Sequence, residues 1–206
     1  MMFSLEDGDF LVKSARKTIE EYLKTGKVPE IDHNKRYDKK QGVFVTIESF
    51  PEKRLRGCIG YPYPVMPLFK AMQDAAVSAA SFDPRFTPLQ SNDLDKVVIE
   101  LSILTEPELL QVKRPDDYLS RIEIGKHGLI VKRGPFSGLL LPQVAVEQKW
   151  NARQFLENSC WKASLPQDMW MDPNTEVYRF EAQIFAEEKP NGRVVEKTLF
   201  TSQKRN

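Results

Sequence analysis

The sequence predicts an α+β fold in which antiparallel sheets carry flanking helices. Three observations predict it. Apolar residues alternate with period two through residues 43–47, 97–103 and 178–186, the pattern of half-buried strands. Helical spacing appears near the N-terminus, after Pro67 and after Asn151. Strands and helices do not follow each other in the βαβ rhythm of a parallel sheet.

In the first helix Leu11, Ala15, Ile19 and Tyr22/Leu23 recur at steps of three or four. Lys13, Arg16, Lys17, Glu20, Glu21 and Lys24 take the other face, Asp7 or Asp9 caps the start, and Gly26 ends it. The basic stretch Lys35 to Lys40 reads as loop. Val43, Val45 and Ile47 form a strand ended by Pro51. Leu55-Arg56-Gly57-Cys58-Ile59-Gly60 follows, and a second helix starts near Pro67, where the missing N–H has no helical partner to lose. Asp83-Pro84-Arg85-Phe86 is a turn, and Val97, Ile99, Leu101 and Ile103 make another strand. A hairpin is expected at Gly125-Lys126-His127-Gly128, between Ile122–Ile124 and Leu129–Val131. Leu139-Leu140-Leu141 is a short strand stopped by Pro142. Asn151 and Gln154 have capping-box spacing ahead of a third helix bearing Phe155, Leu156 and Cys160. Tyr178 to Ala186 is the last long strand, with a short pairing segment near Val194.

With 206 residues the chain is long enough for one domain, or for two parts sharing a core. One domain is expected over residues 5–190. Its larger part spans about 5–110 plus 166–195 and its smaller part about 111–165. Thirty basic and 29 acidic residues leave a net charge of +1. That balance argues against a DNA coat or polybasic membrane binder, which need clustered excess charge. Two cysteines, Cys58 and Cys160, exclude a disulfide-rich scaffold and a zinc ribbon. The acidic start MMFSLEDGDF is no signal peptide, and no apolar run reaches membrane-spanning length. A cytoplasmic protein with free thiols and no membrane attachment is expected.

The chemistry-bearing residues concentrate in Arg56-Gly57-Cys58-Ile59-Gly60. Glycines allow close approach of a ligand, and amides in a turn can form an anion-binding concavity. A nearby guanidinium favours the reactive thiolate. The bland alternative is a glycine-bent strand with a small buried cysteine. A cysteine nucleophile needs a base. His127, in the expected turn, and Glu100, on the minority face of its strand, are the candidates, while His33 lies in a polar loop. Two histidines and scattered carboxylates give no metal spacing, and phosphate-loop, dinucleotide and nucleophile-elbow motifs are absent. Cys160 and the tryptophans Trp150, Trp161 and Trp170 fit core packing. Basic residues outnumber acidic ones between Ile31 and Gly60, with Phe44, Phe50, Tyr61 and Tyr63 nearby as stacking rings for RNA. A solvated loop face explains that patch equally well.

The segment Leu55-Arg56-Gly57-Cys58-Ile59-Gly60, with the tyrosine and prolines after it, resembles the six-residue signature of the AMMECR family. Further collinear blocks extend the likeness over roughly residues 5–190. They are Ser81-Phe82-Asp83-Pro84-Arg85-Phe86-Thr87-Pro88-Leu89, Glu100–Leu104, Gly125–Val131 and Gly138–Ala145, followed by Trp150, Phe155-Leu156, Cys160 and Lys162-Ala163. Ser164 departs from the glycine common in the family at a helix end, where a left-handed residue is wanted. The resemblance implies two unequal subdomains with a cleft between them and an intracellular protein. It implies no settled reaction and no named cofactor, although family members occur beside Memo-type and radical-enzyme domains.

From the residues, three functions are expected in order. The first is a cleft enzyme or ligand binder acting on a small molecule or a modified protein. In it Arg56 holds an anion, the amides around Gly57 and Gly60 cradle it, Tyr61 and Arg85 line the site, and Cys58 is nucleophile or close contact. The second is a protein-interaction module docking through Tyr61, Tyr63 and Phe86. The third is an RNA-binding accessory protein. No DNA partner is expected.

Overall fold

The computed structural model describes residues 2–199. In chain order it contains α1 (Leu5–Thr25), β1 (Gly42–Ser49), β2 (Leu55–Tyr61), α2 (Leu68–Ser81), β3 (Val97–Leu104) and β4 (Glu108–Leu109). It continues with α3 (Asp117–Arg121), β5 (His127–Arg133), β6 (Phe136–Leu140), α4 (Pro142–Glu147), α5 (Ala152–Lys162), β7 (Glu176–Glu187) and β8 (Val194–Lys197). The β1–β2, β1–β3, β4–β7, β5–β6, β5–β7 and β7–β8 ladders are all antiparallel. The fold is therefore α+β. No helix among the described residues is long and apolar enough to cross a membrane.

Two units divide the chain. One runs to Leu104 and adds Gln183–Lys197; the other is built on Thr105–Ala182. Residues 105–110 and 166–182, expected with the larger part, fall in the second unit, where Leu110, Trp170 and Val177 pack with Phe155 and Leu156.

In the first unit, Ser4 starts α1. Its hydroxyl accepts the Asp7 amide hydrogen at 3.2 Å, and the Asp7 carboxylate accepts the Ser4 amide at 2.8 Å. The cap is thus Ser4, with Asp7 as its reciprocal partner, while Asp9 pairs with Lys13 at the surface. Gly26 closes the helix at φ 72°. Leu11, Ala15 and Ile19 reach the core, where Val43, Val45, Ile47, Ile99, Leu101 and Ile103 meet them and the apolar side of α2. Arg16 departs from its expected solvent face and is only 3% exposed. Glu187 and two backbone carbonyls take its guanidinium out of water. The basic stretch after Asn34 is partly ordered, as a short 3-10 helix over Lys35–Asp38. Strand β3 is buried along its whole length. Period two alone does not distinguish a strand covered on both faces from one covered on one.

In the second unit, the expected hairpin lies one strand later. Ile122 follows α3 and packs into the core, and β5 pairs with β6 through a turn at Gly134, φ 55°. Pro142 stops β6 and opens α4 at its first turn. Asn151 and Gln154 form the expected reciprocal box at α5, both bonds 3.0 Å. Ser164 follows α5 with φ 60°, the left-handed position expected there. Cys160 and Trp170 are buried, but Trp161 is 69% exposed, one residue round the helix from Cys160 and off its core face.

Candidate functional site

Antiparallel register brings the site together. On β1, Val43, Val45 and Ile47 belong to the core, so Phe44, Thr46 and Glu48 occupy the other sheet face. Thr46 lies opposite Cys58 on β2 and opposite Glu100 on β3. Residues directly opposite share a face. Cys58, Thr46 and Glu100 therefore form one row across three strands, on the face away from the helices' core. The Thr46 hydroxyl donates to Cys58 Sγ at 3.4 Å. Lys197, from β8, extends the row by donating its Nζ to Glu100 at 2.5 Å. Cys58 is half-buried and Glu100 is buried.

A second set of bonds holds the edge of β2. Asp83 Oδ2 accepts the Cys58 amide hydrogen at 2.9 Å, and the Arg85 guanidinium donates to the Cys58 carbonyl at 3.0 Å. Arg85 also grips both Asp83 oxygens, at 2.9 and 2.6 Å, and lies over the Phe86 ring. The two motifs singled out in sequence, at 55–60 and 83–86, are thus one structure. The clamp satisfies edge-strand groups that would otherwise invite another chain.

This geometry revises several expected roles. Gly57 and Gly60 lie in extended strand and take no positive φ, so their amides form no turn-type anion concavity. They are glycines for space. A Cβ at Gly57 would sit 2.1 Å from the Ala79 carbonyl oxygen of α2, and one at Gly60 would sit 2.2 Å from the Val43 oxygen. Tyr61 faces the helices, opposite in alternation to Cys58, and its hydroxyl donates to the Asp74 carboxylate; the phenol is pushed up to about 12, first by that bond. It belongs to the α2 contact and not to the Cys58 row. Arg56 occupies the irregularity where Glu48 pairs with Leu55. It is half-buried and has no ion pair or hydrogen bond among the described residues.

Neither histidine sits in an exposed turn as a free base. His127 begins β5 in the second unit, is 6% exposed, and its Nδ1 accepts the Glu123 amide hydrogen at 3.0 Å. Burial, with Arg179 and Lys126 nearby, lowers its pKa, so it is neutral at neutral pH. His33 stacks on Phe69 with ring centres 4.0 Å apart and lines two cavities of about 570 and 470 Å³ in the first unit, whose lining residues do not include Cys58. Among the described residues no group of three or more His, Cys, Asp or Glu has metal-holding geometry.

Burial raises the Cys58 thiol above the ordinary range, and the Glu100 and Asp83 carboxylates add to that, against the Thr46 bond and Arg85. Cys58 is therefore a protonated thiol at neutral pH, not the thiolate expected beside an arginine. Asp83 moves the other way. The Arg85 bond is the largest cause, and it holds the carboxyl at about 2. An unfolded aspartate titrates near ~3.9. The clamp thus contributes about 2 kcal/mol that is complete above pH ~4 and lost as pH falls through about 2. Urea midpoints followed from pH 5 down to pH 2 should show this loss, and Asp83→Asn should flatten it. An identical acid slope in Asp83→Asn would remove the clamp from the protein's stability.

Sequence reasoning missed Thr46, the role of Asp83, and Lys197. Thr46 was legible as the polar member of an alternating strand. Lys197 carried no local signal, lying 97 residues from Glu100.

Known proteins place this arrangement in a family. A protein of Methanopyrus kandleri is 50% identical over 202 residues, covering 97% of this chain and 98% of its own length. One of Methanocaldococcus jannaschii is 48% identical over 198 residues, covering 96% and 98%. The crystal structure of an uncharacterised protein from Pyrococcus horikoshii matches with TM-score 0.90 at 48% identity, covering 93% of this chain and 96% of that one. The AMMECR1 family model spans residues 12–185, which takes in the β2 signature, the Asp83–Arg85 clamp and the Glu100 strand, and the chain belongs to the AMMECR1 family.

Proposed function

We propose that the sheet face centred on Cys58 is a binding face for a small molecule or a modified protein side chain. One observation carries this: Cys58, Thr46, Glu100 and Lys197, from four strands, stand in a single row on the face that the helix core does not occupy. A row of a thiol, a hydroxyl, a carboxylate and an ammonium offers donors and acceptors at fixed spacing. Polar groups of this kind, held by a rigid sheet, orient a ligand. Cys58 acts as a protonated contact at rest.

Alkylation of the folded protein by iodoacetamide, read per cysteine by mass spectrometry against pH, tests this. Cys58 is expected to label in the native state, with a rate rising only above the free-thiol range of ~8.5. Cys160, fully buried and pushed up to about 11 by burial, labels only on unfolding. Glu100→Gln removes a charge that opposes the thiolate, so labelling of Cys58 at pH 8 should rise about threefold or more. If Cys58 stays unlabelled until the protein unfolds, the face is closed and the proposal fails.

Exposure of Phe82 (62%) and Tyr63 (40%) favours a second reading, docking of a partner protein beside β2. That reading predicts that Phe82→Ser abolishes a pull-down while Cys58 labelling is unchanged.

A further inference from the structure

The ligand class of this face follows from its charges. Of the charged groups gathered around Cys58, Asp83 is paired with Arg85 and Glu100 with Lys197. Glu48, on the same strand face as Thr46, is engaged in an interaction of its own. Arg56 is the exception. It is the extra residue of a β-bulge two positions before Cys58, half-buried and unpaired among the described residues. Bulges at such places re-aim a side chain rather than extend the ladder. Arg85 adds a second donor surface. Its Nε and Nη2 are spent on Asp83 and Cys58, while Nη1 makes no bond among the described residues, and the side chain is 45% exposed. Asp83 holds this guanidinium in one orientation, with its remaining N–H groups not turned back onto the protein. A planar guanidinium with an open edge matches a carboxylate or phosphate.

We infer that the Cys58 face selects anionic ligands, a carboxylate or phosphate group being held by Arg56 and the open edge of Arg85 beside the thiol. The inference rests on the proposed binding face and names its ligand class. It moves anion recognition from the strand amides to the two guanidinium groups. A carboxylate and a phosphate share the same recognition chemistry here, and competition separates them.

The test compares anionic iodoacetate with neutral iodoacetamide at Cys58. Both reagents need the same thiolate, which displaces iodide as the S–C bond forms and the C–I bond breaks. The ratio of their rates therefore cancels the thiol pKa and reports the local field. Divided by the same ratio for a small free thiol, it is expected to favour iodoacetate about tenfold, the low end of local-field effects on encounter. It should fall in molar salt, where screening shortens to ~3 Å. Arg56→Gln, whose side chain has no bonds to lose among the described residues, should remove most of the preference, and any change it makes to the thiolate population alters both rates alike and cancels in the ratio. Arg85→Lys keeps the charge and loses the fork, so the preference should drop without unfolding the clamp. Inorganic phosphate and acetate, added separately, should each slow iodoacetate selectively, and the stronger competitor identifies the preferred group. A normalised ratio at or below one, with Cys58 still labelled by iodoacetamide, overturns the anion inference and leaves the binding face standing. No labelling by either reagent overturns both.

Discussion

Arg16→Met is expected to destabilise the protein by about 3–5 kcal/mol, the cost of leaving one member of a buried ion pair alone. The guanidinium bonds both Glu187 oxygens at 2.6 Å and the carbonyls of Leu94 and Val97 at 3.1 and 2.8 Å. Glu187 also accepts the Ile99 amide hydrogen at 2.9 Å. The two side chains are 4% and 1% exposed. Removing Arg16 strands a carboxylate in the core and frees two carbonyls. The double variant Arg16→Met/Glu187→Met removes both charges and should recover most of the loss, because the desolvation cost of the pair disappears with it. Urea denaturation of the two single variants and the double closes the cycle. A loss below about 1 kcal/mol in Arg16→Met would mean that water reaches Glu187 and that the pair is not the tie between α1, β3 and the end of β7 described above.

Gly57→Ala is expected to cost about 3 kcal/mol, at the upper end of overpacking effects. The added methyl would meet the backbone oxygen of Ala79 at 2.1 Å, so β2 must separate from α2. Because the obstacle is main chain, no side-chain change in α2 relieves it. Separation also disturbs Asp83, which follows α2 directly and holds the Cys58 amide. The variant should therefore show both a lower denaturation midpoint and faster native labelling of Cys58. Wild-type stability in Gly57→Ala would mean that β2 does not rest on the end of α2.

Glycine on either side of a cysteine suggests positive φ, and with it a reactive turn at the signature residues. The structure makes them a flat edge strand pressed between a helix end and its neighbour. The same glycines serve closeness instead of curvature. Local sequence does not distinguish these uses, since both require only the missing Cβ. For the same reason His127 read as a turn residue: the polar and glycine neighbours that mark a turn also surround the buried first residue of β5.

What the sequence by itself determined is local and periodic. The α+β class, the three alternating strands, the box at Asn151 and the stop at Gly26 are all set by residues within a few positions of one another. Backbone geometry acts over that range. Only the tertiary structure decided the register that aligns Cys58, Thr46 and Glu100, the burial of Arg16 against a carboxylate 171 residues away, and the bond from Lys197 to Glu100. It also reversed the protonation expected of Cys58. A charge's partner and its loss of water are settled by which strands lie side by side, and period two is blind to register.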